Sequence, residues 1–202
     1  MDDPGGGTGS ETRSMATARY GHRAKVLRSG EVLAAGGFNC NNGDLSSAEL
    51  YGAASGNWTA TGSMATARAE HSATLLPDGK SVLIVGGYQD KRNVETAVIL
   101  HADGSKSETV KGHLGSGRFG HSAVDLGGGR VLIAGGLQWI AQADDKGKRD
   151  YSITGMSSLE IFDLASRTFQ KVDDHLAIAR GLMATQKMTD GRILFIGGNT
   201  EG

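Results

Sequence analysis

The chain has 202 residues, 38% of them hydrophobic, and its 21 basic and 22 acidic side chains leave a net charge of −1. That balance gives no electrostatic footprint for nucleic acid or an anionic membrane surface, and the apolar content suffices for one sizeable core. With 32 glycines, about twice the usual share, and only two prolines, the composition is that of a turn-rich β protein and not of a disordered linker. Cys40 is the single cysteine, which excludes an internal disulfide and a cysteine-built metal cage. No apolar run of about 18 residues occurs, so no membrane-spanning helix is expected. The stretch Met1-Asp2-Asp3-Pro4 has neither the basic nor the apolar region of a secretion signal. The favoured location is nonetheless secreted or cell-surface, with the chain as a piece of a longer precursor.

From Arg19 onward the chain writes one phrase four times. An arginine (Arg19, Arg68, Arg118, Arg180) is followed by an apolar run, a turn, a second apolar run and a glycine pair. The pairs are Gly36-Gly37, Gly86-Gly87, Gly135-Gly136 and Gly197-Gly198, at 17, 18, 17 and 17 residues from their arginines. The arginines are 49, 50 and 62 residues apart, a period that marks a repeat architecture. Four residues before each arginine stands Met15, Met64, Leu114 or Leu176, and three after it His22, His71, His121 or Met183. The turns carry Ser29-Gly30, Asp78-Gly79, Gly128-Gly129 and Asp190-Gly191, strong hairpin signals. The β-branched runs that follow, such as Val82-Leu83-Ile84-Val85, read as strands buried on both faces. The glycine pair then lets backbone approach closely.

A third strand is expected at Ala48-Glu49-Leu50-Tyr51, Ala97-Val98-Ile99-Leu100 and Leu159-Glu160-Ile161-Phe162, and a fourth around Trp58 and Phe169; Ser107 takes that place in the second unit. Each unit of about 50 residues is therefore a four-stranded antiparallel meander, which needs neighbours to cover its faces. The units span residues 15–62, 63–113, 114–175 and 176–202, the last with two of its four strands. Residues 1–14 form an N-terminal segment expected to supply a ring-closing strand, with Gly9 where the first unit has Trp58.

These linked features resemble the Kelch-repeat family, in the style of its bacterial members, from about Met15 to Gly202. The resemblance implies an all-β fold: a Kelch-type β-propeller of four-stranded blades, here about three full blades plus a half blade. A partial propeller of this kind implies a fragment of a longer one, or half a ring completed by a second copy.

Function in such arrays sits where the repeats differ, at residues 38–47, 88–95 and 137–155 after the glycine pairs. The third segment is longer by about 12 residues and carries Trp139, Ile140 and a charged cluster (Asp144, Asp145, Lys146, Lys148, Arg149, Asp150), a surface suited to touching a partner. In the resembled family the residues after Gly-Gly and after the opening arginine line one pocket. Carried over, that face presents Tyr20, Phe38, Asn39, Glu70, Tyr88, Gln89, Phe119, Leu137, Gln138, Asn199 and Thr200, with Trp139 beside them. The mixture of aromatics and amides suits a glycan or a peptide better than a phosphate. The repeated histidines read as packing residues in preference to a symmetric metal site. The arginines read as structural, tying neighbouring blades, with Glu49 and Glu160 as partners. The expected function is an interaction module for a protein or glycan partner, with no cofactor. The alternative is a carbohydrate enzyme of isomerase or oxidase type, with Glu70 beside Arg68 as its candidate acid. Cys40 has no ligand pattern around it for a copper radical site.

Overall fold

A computed structural model describes residues 12–143 and 147–201. Most of the proposed ring-closing segment, residues 1–11, and the loop charges Asp144, Asp145 and Lys146 lie outside the described residues.

The first unit runs β1 (Arg23–Val26), β2 (Val32–Ala35), a short ribbon β3 (Phe38–Asn39) and β4 (Gly43–Asp44), then β5 (Ser47–Gly52) and β6 (Asn57–Ser63). The second repeats this with β7 (Ser72–Leu75), β8 (Ser81–Val85), the ribbon β9 (Tyr88–Gln89) and β10 (Arg92–Asn93), β11 (Thr96–His101) and β12 (Glu108–His113). The third has β13 (Ser122–Gly127), β14 (Arg130–Ala134), the ribbon β15 (Leu137–Ala143) and β16 (Arg149–Gly155), β17 (Ser158–Asp163) and β18 (Thr168–His175). The fourth is the hairpin β19 (Ala184–Lys187) and β20 (Ile193–Ile196). Without their ribbons, the first three units are antiparallel four-stranded sheets in the orders β1-β2-β5-β6, β7-β8-β11-β12 and β13-β14-β17-β18. The long third segment, read from sequence as a loop, is a paired ribbon with Leu137 opposite Gly155 and Ala143 opposite Arg149.

The sheets stack face to face in chain order. Strand β1 packs beside β7, β7 beside β13, and β13 beside β19. Alternation along the second strands divides each between two neighbours. Leu33 and Ala35 of β2 meet Val82 and Ile84 of β8 in one core cluster, while Leu83 and Val85, from the other face of β8, meet Val131, Ile133 and Phe162 in the next. Burying each of the Leu, Val, Ile and Phe side chains is worth roughly 1.5–3 kcal/mol. The aromatic pairs anticipated on the outer strands form, Tyr51 against Trp58 and Phe162 against Phe169, each with ring centroids 5.2 Å apart.

The glycine pairs are where one sheet touches the next. Gly36, Gly86 and Gly135 hold φ of 62°, 63° and 60°, and an added Cβ would lie 2.6, 2.5 and 2.5 Å from the carbonyl oxygen of the following unit's arginine. Neither the conformation nor the space admits a side chain. The second glycines, Gly37, Gly87 and Gly136, donate their N–H groups to those same carbonyls at 2.8–2.9 Å. A second series joins the residues two places after the arginines. Glu70 N donates to Gly21 O, Gly120 N to Glu70 O, and Leu182 N to Gly120 O, at 2.7–2.9 Å. All four residues have positive φ, although two are Glu and Leu.

The arginine side chains work differently from the expected tie between neighbours: each clamps its own sheet. Arg19 donates to Gly36 O, Ser47 O and Glu49 Oε1, the last at 2.7 Å. Arg118 does the same with Gly135 O, Ser158 O and Glu160 Oε1, the last at 2.5 Å. In the second sheet Val98 stands where the others have glutamate, and Arg68 satisfies itself on Gly86 O, Thr96 O and Thr96 Oγ1. Its complete burial without a carboxylate brings its pKa down to about 10. Arg180, on the last hairpin, reaches Gly197 O. The tie to the neighbouring sheet is made by the arginine main chain.

Candidate functional site

Each ribbon leaves its sheet directly after a glycine pair, so all three emerge at the same end of the stack. Isolated bridges pair the residue after each arginine with the residue after Gly-Gly: Tyr20 with Phe38, Ala69 with Tyr88, Phe119 with Leu137, and Gly181 with Asn199. The ribbons are then laced together. Asp90 N donates to Asp44 Oδ2 at 2.8 Å, joining the first to the second. Asn93 exchanges two 2.8 Å hydrogen bonds with the main chain of Trp139, joining the second to the third.

Between the first two ribbons and Trp139 lies an open concavity of about 510 Å³. Its walls include the rings of Tyr20, Phe38, Tyr88 and Trp139, and its rim carries Asn42, Asp44, Gln89, Asp90 and Lys91. Tyr20 and Phe38 lie 5.3 Å apart at their centroids, and Tyr88 meets Phe119 at 5.2 Å and Trp139 at 6.2 Å, both edge to face. Phe119 is buried and stacks under Trp139 at 5.8 Å, so it supports the wall from behind. Lys91 places its ammonium 4.8 Å from the Tyr151 ring and 5.7 Å from that of Trp139, a cation–π arrangement.

The turn that places Asp90 and Lys91 is strained. Gln89 pairs with Arg92, leaving two central residues with φ of 48° and 56° in a hairpin geometry that favours glycine or asparagine. Burial pushes the Asp44 carboxyl above the ordinary range, with the Asp90 N–H pulling it back. The Tyr88 phenol is raised by burial and then by the negative charges of Asp44 and Glu70. Two shielded polar atoms at this site, Asp44 Oδ1 and Trp139 Nε1, lack a hydrogen-bond partner.

The other residues singled out from the sequence have different surroundings. Asn39 donates to Ala18 O and accepts from Asn41 and Asn42 N, which closes the β3–β4 turn. Gln138 makes the corresponding bond to Gly117 O. Asn199 is exposed at the last hairpin and accepts weakly from Glu201 N. Glu70 pairs with Arg23 at 3.0 Å, and Arg68 is fully buried inside its sheet, so neither lines the concavity. The histidines pack on glycines: an added Cβ at Gly36 would meet His71 and one at Gly86 would meet His121. Among the described residues no three His, Cys, Asp or Glu side chains converge in a way that could hold a metal ion. Asp44, Asp90, Lys91 and Tyr151 were not singled out as wall or rim residues, although they sit inside the variable segments.

No family model matches the chain, and no curated protein matches it significantly. The functional reading therefore rests on the repeat pattern and the geometry.

Proposed function

We propose that the chain is a set of Kelch-type propeller blades whose ribbon end binds a neutral glycan. The observation that carries the reading is the concavity walled by Tyr20, Phe38, Tyr88 and Trp139 with Asp44 at its rim. Aromatic faces receive the C–H faces of pyranose rings, and a carboxylate accepts from sugar hydroxyls. Phosphorylated ligands fit poorly, because Asp44 and Asp90 repel them and the Lys91 ammonium lies over aromatic rings. The isomerase alternative put its chemistry on Glu70 and Arg68, which are engaged elsewhere.

A panel of neutral and acidic oligosaccharides titrated by calorimetry tests this reading. Neutral members should bind, with Trp139→Ala weakening them at least tenfold while Trp58→Phe, on the outer strand, leaves affinity unchanged. Binding that ignores Trp139→Ala, or a panel with no binder at all, would refute the glycan assignment. A basic peptide is the second reading, favoured by the paired carboxylates Asp44 and Asp90. It would be recognised by affinity that falls steeply with salt.

A further inference from the structure

Lys91 is held at the ribbon end by aromatic rings and by nothing else. It follows Asp90 in the β9–β10 turn, has φ of 56° and is exposed to solvent. Among the described residues it makes no hydrogen bond or ion pair, although Asp44 and Asp90 stand on the same rim. Its ammonium lies instead over two rings, 4.8 Å from Tyr151 and 5.7 Å from Trp139.

The third ribbon builds this seat. Trp139 pairs with Ile153 and Tyr151 with Ala141, so Trp139 and Tyr151 are diagonal neighbours on one face of β15–β16. Their planes stand at 89° with centroids 6.5 Å apart, which makes a corner of two π surfaces. Phe119 stacks on Trp139 at 5.8 Å and Tyr88 meets it at 82°, so the indole is held in place. The two hydrogen bonds between Asn93 and the Trp139 main chain fix the second ribbon, and with it the Lys91 turn, against the corner. The corner is rigid, whereas its occupant is a flexible side chain that enters from solvent.

We propose that the Trp139–Tyr151 corner binds a small quaternary ammonium ion of the choline kind, with Lys91 as the resident group it displaces. Ring faces attract a cation through their quadrupoles but offer no lone pair to its N–H groups. The Lys91 ammonium keeps three N–H donors that water serves better than a ring does. A trimethylammonium group has no such donor and lays its methyl groups on both rings, so it gains more from the same surface. Asp44 and Asp90 add a field that favours a cation and disfavours a ligand bearing a phosphate of its own. The seat goes beyond the glycan reading, because its ligand is charged and Tyr151 is not among the walls of the concavity.

Calorimetric titration with choline chloride at constant ionic strength tests the proposal, beside neohexyl alcohol, the uncharged isostere with carbon in place of nitrogen. Choline should bind the wild-type chain, and the alcohol should not. Lys91→Gly, which suits the positive φ of the turn, empties the seat and should tighten choline about fivefold. Tyr151→Leu keeps an apolar side chain but removes the π face, and should weaken choline about fivefold with or without Lys91. Circular dichroism checks that each variant folds. Phosphocholine should bind less tightly than choline. A wild-type chain indifferent to choline overturns the proposal, as does an alcohol that binds equally well. So does a choline affinity unmoved by Lys91→Gly or by Tyr151→Leu, or one exceeded by phosphocholine. The oligosaccharide panel shares no ligand with this titration, so either reading can fail while the other stands.

Discussion

Removing the Glu160 carboxylate tests how the sheets are clamped. Its Oε1 takes the Arg118 guanidinium at 2.5 Å and its Oε2 accepts from Gly115 N at 2.9 Å. The side chains of the pair are 1% and 6% exposed. Glu160→Ala strands a buried cation and a main-chain donor together, and losing one partner of a buried pair costs about 3–5 kcal/mol. A shallow cavity of about 240 Å³ beside the pair, lined by Gly115, Ser116, Ser158 and Lys171, lets water reach the stranded groups. The expected cost is therefore at the lower end, about 3 kcal/mol. With a urea dependence of about 2–3 kcal/mol/M for a chain of this size, the unfolding midpoint should fall by roughly 1 M. The double variant Arg118→Met, Glu160→Leu should regain only part of that loss: it removes the uncompensated cation but leaves Gly115 N–H stranded and takes the guanidinium from Gly135 O and Ser158 O. The second sheet already lives without the carboxylate, with Val98 at that position and Arg68 held by carbonyls and Thr96. If Glu160→Ala shifts the midpoint by less than a third of the expected amount, or the double variant is no better than the single, the clamp does not carry the stability assigned to it.

Stability should also fall in mild acid. Burial holds the His71 ring well below its ordinary pKa and brings His121 down to about 3, against 6.5 for a free imidazole. The folded values are the lower ones, so the unfolded chain binds more protons below pH 6.5. The His121 contribution is complete above that pH and is lost as pH drops toward about 3, and neither ring can change stability by more than about 1.4 kcal/mol per pH unit. His71→Met, which copies the residue the fourth unit uses at Met183, should flatten the urea-midpoint profile between pH 6 and 4; an unchanged slope would discount the ring. Substitution of the glycine pairs should depend on position. Gly86→Ala drives a Cβ to 2.5 Å from Arg118 O and 2.9 Å from His121 Cε1, and should cost about 3 kcal/mol. Gly197→Ala meets nothing and should cost a monomer only about 1 kcal/mol of backbone strain. Equal losses in thermal unfolding would contradict the contact assigned to Gly86.

The strands were legible because their signals are local. Val82 to Val85 is apolar without interruption and ends at glycines that nothing else could replace, so both the strand and its burial on two faces follow from the string. Glu49 and Glu160 could be matched to Arg19 and Arg118 from the repeat alone. What the repeat could not give was direction: the side chains close on their own sheets while the arginine carbonyls face the next. The third ribbon was read as a loop because its hydrophobic residues do not alternate cleanly through Leu137, Trp139 and Ile140. The rim of the concavity was the least legible part. Asp44 and Asp90 are 46 residues apart and meet through one main-chain hydrogen bond. The turn bearing Asp90 and Lys91 lacks the glycine or asparagine that would have flagged its positive φ.

The main-chain series through Gly21, Glu70, Gly120 and Leu182 bears on how such a chain grows. Each link is made by a peptide N–H and a peptide C=O, but the side chains at that place are coupled: a Cβ at Gly120 would lie 2.8 Å from Leu182 Cδ2, and one at Gly21 3.0 Å from Glu70 Oε1. Glycine in one unit makes room for the acid or the leucine of the next. A unit copied in tandem brings its own donor and its own acceptor to the junction, but a side chain there needs glycine in the unit before it. Ser14-Met-Ala-Thr-Ala-Arg19 recurs letter for letter at residues 63–68, just ahead of that place. Divergence is then free to collect in the ribbons, where the aromatic walls stand.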